Sequence, residues 1–253
     1  MLPPAYELIP VERVDSVIEE AARRARQGAG EGAIVWALEQ ANAKTRSGKQ
    51  WDSPRGNLHC ALIIEPEFDN ATAAQLLYVA AVSAGTAIAD ILAPMTGMRY
   101  RWPNHIYINE LKSAQLQMAV PEGNVDPYPW LVLGLSVNVA HHPPNPEPER
   151  FNSMHASGTP DADVGELLEA YCRHFLSWVN RWAEEGFEPV HKAWQQRADG
   201  VGENIRLRVD GEVIEGRFRE LDLQGQINVD LADGAHRCIS VGEYFALGRS
   251  AAG

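Results

Sequence analysis

Trp51-Asp52-Ser53-Pro54-Arg55-Gly56-Asn57-Leu58 leads into a buried strand, residues 58 to 65, and Arg101-Trp102-Pro103-Asn104 follows fifty residues after its tryptophan. Upstream of this ordered pair, Ala33-Ile34-Val35-Trp36-Ala37 reads as a second buried strand. The loop between the two strands holds Lys44, Arg46 and Lys49. A long basic loop between two strands suits a ligand lid. Upstream, Val14, Val17, Ile18, Ala21, Ala22 and Ala25 recur at helical spacing up to Gly28. Downstream, Asp69 or Asn70 caps an alanine-rich helix that ends between Pro94 and Gly97. Ile106–Ile108 and Ala114–Val120 flank Asn109-Glu110 in a hairpin pattern, and Trp130–Val139 is a further apolar strand. From Asp163 to about Gly186 the apolar residues Val164, Leu167, Leu168, Tyr171, Phe175, Val179 and Trp182 mark an amphipathic helix.

Near Gly200-Val201-Gly202 the pattern changes to period-two alternation, in Ile205–Val209 and again in Gln226–Leu231, with turns at Asp210-Gly211 and Asp233-Gly234. We therefore divide the chain into residues 1–200 and a small all-β module, 201–253. With 253 residues, 45% of them hydrophobic, the chain can bury a sizeable core. A net charge of −12 argues against a phosphate-backbone partner, so no nucleic acid is expected. Ala71–Pro94 includes Gln75 and Asp90, which fits a buried helix and not a membrane span. The first residues carry no basic-then-apolar stretch, and a cytoplasmic location is expected. Cys60, Cys172 and Cys238 are odd in number and far apart, so they read as packing residues. The adjacent His141 and His142 point to opposite faces of a strand with no third ligand nearby, and no metal centre is read from them.

The two opening motifs resemble those of the biotin protein ligases, within the biotin/lipoate A/B ligase family. There the first block closes a Gly-rich basic loop over biotinyl-adenylate, and the second reads Lys-Trp-Pro-Asn-Asp. The resemblance continues through Leu221–Gly225 and Asp233–Gly242, which are similar to the family's C-terminal SH3-like barrel. It implies an α+β fold: a mixed, largely antiparallel sheet with packed helices, followed by that barrel. No helix-turn-helix module of the kind some members use for repression is recognised, so a repressor role is not implied.

Residue by residue, the resemblance names candidates and departures. In the lid, Gln40, Arg46, Gly48 and Trp51 match, Lys44 and Lys49 keep charge, and Ala43 and Thr45 stand where the family has glycine. Arg101 replaces the motif lysine and His105 the aspartate after Asn104; an arginine fork does not reproduce a compact ammonium. Lys112 keeps one lysine of Gly-Lys-Lys-x-Ala-Gly, whose final glycine is Gln115. Gly134 and Asn138 match Gly-Ile-Gly-Ile-Asn, and Ser16-Val17-Ile18 stands at the family's Ser-Thr-Asn, which holds the ureido ring. The implied roles are Arg101 and Lys112 at the phosphate and carboxylate, Lys44 and Arg46 closing over the adenylate, Gln40 orienting the ring system, and Ser16, Gly48, Trp51, Asn104, Gly134 and Asn138 as further substrate contacts.

The implied activity is ATP-dependent adenylation of biotin or a related acid and its transfer to a lysine of a biotin carboxyl carrier protein, with ATP and Mg2+ as cofactors; a homodimer is admitted. The departures at Ala43, Thr45, Arg101, His105, Gln115 and Ile18 support an alternative: a catalytically impaired homologue that binds a nucleotide, an acyl-adenylate or a different small acid.

Overall fold

The computed structural model describes residues 1–43, 53–123, 125–144 and 150–248; the candidates Lys44, Arg46, Gly48 and Trp51 lie outside them. In chain order the first elements are β1 (Glu7–Val14), α1 (Val17–Arg26), β2 (Ala33–Gln40), β3 (Leu58–Ile64), α2 (Asn70–Ala73) and α3 (Leu76–Ile91). Then come β4 (Met98–Arg101), β5 (His105–Ile108), β6 (Leu111–Ala119), β7 (Leu131–Val137), α4 (Val164–Glu185) and α5 (Glu188–Gln195). The chain closes with β8 (Asn204–Val209), β9 (Glu212–Leu221), β10 (Ile227–Leu231), β11 (His236–Ile239) and α6 (Val241–Phe245).

The first seven strands form one sheet in the order β1-β2-β3-β7-β6-β5-β4. Only β1 and β2 run parallel; every other neighbouring pair is antiparallel. This is the mixed, largely antiparallel sheet expected. β3 and β7, at its centre, are buried along their whole length, whereas β1 is an edge strand that tolerates Pro10.

Alternation divides the side chains between two faces. Leu58, Cys60, Leu62, Leu131, Leu133, Leu135 and Val137 join the main core under α3, α4 and α5. Val35, Ala37, Ala61, Ile63 and Val132 meet Val17, Ala21, Ala22 and Ala25 of α1 on the opposite face. The first helix starts later than its apolar periodicity suggests, because Val14 ends β1. An 18-residue window of the span Asn70–Ile91 has a mean hydropathy of 1.4, apolar enough to cross a membrane, yet 78% of that window is buried in the fold. Its alanines let it pack closely between sheet and helices.

β8 to β11 form a separate antiparallel sheet in the order β11-β10-β9-β8. Among the described residues no pairing closes β8 onto β11, so the module is an open meander where a closed barrel was expected; α6 packs against β8 at the open edge.

Candidate functional site

The site residues converge where β4, β5 and β6 present one face. The β4–β5 connection is fixed by Asn104, whose side-chain Nδ2 donates to the Leu116 carbonyl at 2.6 Å while its backbone carbonyl accepts from the Leu116 N–H at 2.8 Å. It is buried, so the structure places Asn104 as a clamp within the sheet. The turn it stabilises carries Arg101 on β4 and His105 on β5, directly opposite each other.

Arg101 lies over the Tyr107 ring, 4.2 Å from its centroid, and its Nε donates to Asp199 Oδ2 at 2.7 Å. Burial works against its charge, but the Tyr107 phenol and Asp199 more than offset that and hold the guanidinium above its ordinary pKa. Asp199 is brought there by the linker after α5: its N–H donates to the Tyr100 carbonyl at 2.7 Å. An intramolecular carboxylate thus occupies the residue that stands in for the motif lysine.

His105, half-buried at the first residue of β5, lies between Arg101 on β4 and Gln115 on β6. Burial, then the nearby Lys112 and Arg101, push its pKa well down, with Gln115 working the other way by hydrogen bonding. It is a neutral imidazole between two cations. Lys112 is buried, with Nζ 5.9 Å from the centre of the Phe151 ring. Phe151 in turn packs on Ala43, the last described residue before the basic loop. The stem of that loop therefore stands beside Lys112.

The other candidates sit on the α1 face. Gln40 is buried: its Oε1 accepts from the Val17 N–H at 2.8 Å and its Nε2 donates to Ser53 Oγ at 3.0 Å, tying the start of α1 to the Ser53 segment. Ser16 is the N-cap of α1, yet its hydroxyl makes no capping bond, and it lines a 640 Å³ cleft with Ile18, Asn42 and Gln117. Gly134 lies under Ile18: a Cβ there would be 3.3 Å from Ile18 Cδ1. Asn138 donates to the Asn152 carbonyl at 3.1 Å, while its Oδ1 is buried with no hydrogen-bond partner.

Three further residues emerge only from the fold. Asn57 Oδ1 accepts from the N–H groups of Val139, Ala140 and His141 at 3.0 to 3.1 Å, which explains its place in the opening motif as a clamp on the end of β7. Asp199 is a lone acid in a linker and gives no signal in sequence. His59 is fully buried on β3, and its phase with Ala61 and Ile63 was the available hint.

The family described as "Biotin/lipoate A/B protein ligase family" matches residues 2–196. The chain belongs to this family. The biotin--[acetyl-CoA-carboxylase] ligase of Paracoccus denitrificans is 29% identical over 219 residues, 85% of this chain and 90% of that one. A biotin protein ligase-like protein of unknown function from Silicibacter sp. TM1040 superposes with a TM-score of 0.79 at 24% identity, over 95% of this chain and 96% of its own. The Aquifex aeolicus biotin protein ligase in complex with biotin and ATP gives 0.76 at 24%, over 94% and 97%. Both structural likenesses establish the ligase fold.

Magnesium, which the family resemblance implies, fits the described residues poorly. No three His, Cys, Asp or Glu side chains among them converge to hold a metal. The motif aspartate is His105, a neutral nitrogen donor beside two cations, whereas magnesium takes hard oxygen ligands. Asp199, which lines the same pocket as His105, is paired with Arg101.

Proposed function

We propose that this chain is an ATP-dependent ligase that adenylates biotin or a related acid and passes the acyl group to a lysine of a carrier protein. The observation that carries the reading is the meeting of Arg101 and Lys112, from β4 and β6, around a neutral His105 at the foot of the basic loop. In the first step a carboxylate oxygen attacks the α-phosphorus of ATP and pyrophosphate leaves. In the second a lysine amine attacks the acyl carbon, AMP leaves with the bonding pair, and the amine loses a proton. Both steps build negative charge on oxygen, which fixed cations stabilise best in a site shielded from water. Lys112, buried and pre-positioned, is assigned to the carboxylate and α-phosphate; Arg101 stands at the rim of the same site. Lys44, Arg46, Gly48 and Trp51 are assigned to the lid over the adenylate, and Ser16, Gln40, Gly134 and Asn138 to the walls or their support.

Magnesium is assigned as the counter-ion that ATP carries. The complex of the Aquifex relative with biotin and ATP supports the choice of ligands. We further propose that residues 201–253 form an SH3-like module, that the protein works in the cytoplasm, and that two copies form a homodimer.

ATP–pyrophosphate exchange with biotin, lipoate and octanoate supplied in turn tests the reading. Wild type should exchange with at least one acid, and Lys112→Ala should lower the rate by at least tenfold, about 1.4 kcal/mol of transition-state stabilisation. No exchange with any of the three would return the non-catalytic alternative.

A further inference from the structure

Asp199 stands outside every motif that carries the chemistry, yet it holds the guanidinium that β4 presents. Its Oδ2 accepts from Arg101 Nε at 2.7 Å and also pairs with Nη2. Arg101 Nη1 donates to the Tyr107 hydroxyl at 3.2 Å, and the guanidinium lies over the Tyr107 ring. The Nε–Nη2 edge, one of the two forks with which an arginine grips a phosphate, is therefore already taken by an anion of the same chain.

The two partners are held very differently. Residues 197–199 run beside β4: the Tyr100 N–H donates to the Arg197 carbonyl at 2.8 Å, the Asp199 N–H donates to the Tyr100 carbonyl at 2.7 Å, and Ala198 is bridged to Tyr100. Asp199 is thus fixed by its backbone, and its short side chain cannot follow the guanidinium away from β4. Arg101 is long, its side chain is about half exposed, and it borders two clefts between the large sheet and the meander. One, of 400 Å³, reaches His105; the other, of 500 Å³, reaches Arg99. A partly exposed pair of this kind is weak and open to exchange. A phosphate that takes Arg101 breaks the pair, and its affinity is lowered by the free energy of the pair.

Resting on the ligase reading above, we infer that Asp199 is a positioning residue that acts through Arg101: a resident carboxylate that holds the guanidinium at the rim and competes with the phosphates of ATP for it. ATP entry exchanges one anion for another. The linker into β8 thereby sets the nucleotide affinity of the large sheet.

Calorimetric titration of the full chain with ATP and magnesium tests this with Asp199→Asn, which keeps the shape of the side chain and removes its charge. The variant should bind ATP about threefold more tightly than wild type, the gain that loss of a partly exposed pair allows. In pyrophosphate exchange the KM for ATP should fall while the KM for the acid stays. The gain should vanish without the guanidinium, so that Arg101→Gln and the double variant Arg101→Gln, Asp199→Asn bind ATP alike. Glu203→Gln is the control for general repulsion: Glu203 lines the same two clefts, whereas the carboxylate that pairs with Arg101 is that of Asp199. It should leave ATP affinity within about twofold of wild type. Unchanged or weaker ATP binding by Asp199→Asn, a gain that persists in the Arg101→Gln background, or an equal gain in Glu203→Gln overturns the inference. Asp199→Ser repeats the measurement should Asp199→Asn not fold. Pyrophosphate exchange separates this from the ligase reading. A gain in ATP affinity without exchange removes only the catalysis, exchange with an unmoved ATP affinity removes only the role of Asp199, and no ATP binding by either protein overturns both.

Discussion

At the scale of single residues, Arg101 shows why arginine does not simply stand in for lysine. A planar guanidinium can stack on Tyr107 and fork toward Asp199 at once, and both contacts are made. An ammonium would keep neither stack nor fork, so the substitution and its partners belong together. His59 makes a separate prediction. Its folded pKa lies near 4, below the ordinary 6.5, because burial disfavours the charged ring. The unfolded chain therefore binds a proton in a range where the folded chain does not, and stability present above about pH 6.5 is lost as pH falls toward 4. Between pH 7 and pH 5 this residue alone should account for about 2 kcal/mol. Urea unfolding at pH 7, 6 and 5 should give a shallower decline for His59→Gln, whose side chain does not titrate. Parallel profiles for the two proteins would show that His59 does not carry this dependence.

At the scale of elements, Gly85 decides how closely α3 approaches the sheet. A Cβ built there would lie 2.1 Å from the Tyr100 hydroxyl oxygen, and Tyr100 is itself buried and stacked on Trp194 with ring centroids 6.2 Å apart. Alanine would favour the helix by about 1 kcal/mol. Displacing a packed tyrosine costs more, so Gly85→Ala should lose about 1–3 kcal/mol net, read as a lower denaturation midpoint. A gain would mean that Tyr100 moves aside freely. The strands and helices with strong local patterns were legible in sequence: β2, β3 and β7 from their apolar runs, α4 from its periodicity, and the β5–β6 hairpin from Asn109-Glu110, both at positive φ. β1 was not, because an exposed edge with Pro10 buries too little to show a period. β4 is four residues long and alternates charge with apolar side chains, and α5 fully buries only Val190 and Trp194. Arg101 and Lys112 were singled out in sequence through the two motifs that carry them, and the strand register brings His105 to Arg101. Asp199 was not legible, because it reaches Arg101 only through the linker's path.

For the whole molecule, the question is whether residues 201–253 are a separable unit. Their strands alternate as an independent sheet would, and the pairing confirms that none joins the large sheet. The packing points the other way. Val209, Phe218, Leu221, Ile227 and Val229 belong to the same continuous core as α3 and β7. Trp102 Nε1 donates to the Tyr78 hydroxyl at 2.7 Å, that hydroxyl donates to the Gly225 carbonyl at 2.8 Å, and the Trp102 ring meets Tyr244 edge-on at 5.0 Å. The His191 ring is 2.7 Å from the Leu221 carbonyl. Shared burial of this kind couples two sheets into one cooperative unit. The intact protein should therefore melt in a single calorimetric transition with matching calorimetric and van't Hoff enthalpies. Removing residues 201–253 should leave the large sheet folded by far-UV circular dichroism but expose Trp102 and strand the Tyr78 hydroxyl, at a cost of at least about 3 kcal/mol. For a chain of this size that corresponds to a fall of about 6–12 °C in Tm. Two resolved transitions in the intact chain, or a truncated chain that melts where the whole one does, would mean that the meander is an appendage with its own stability.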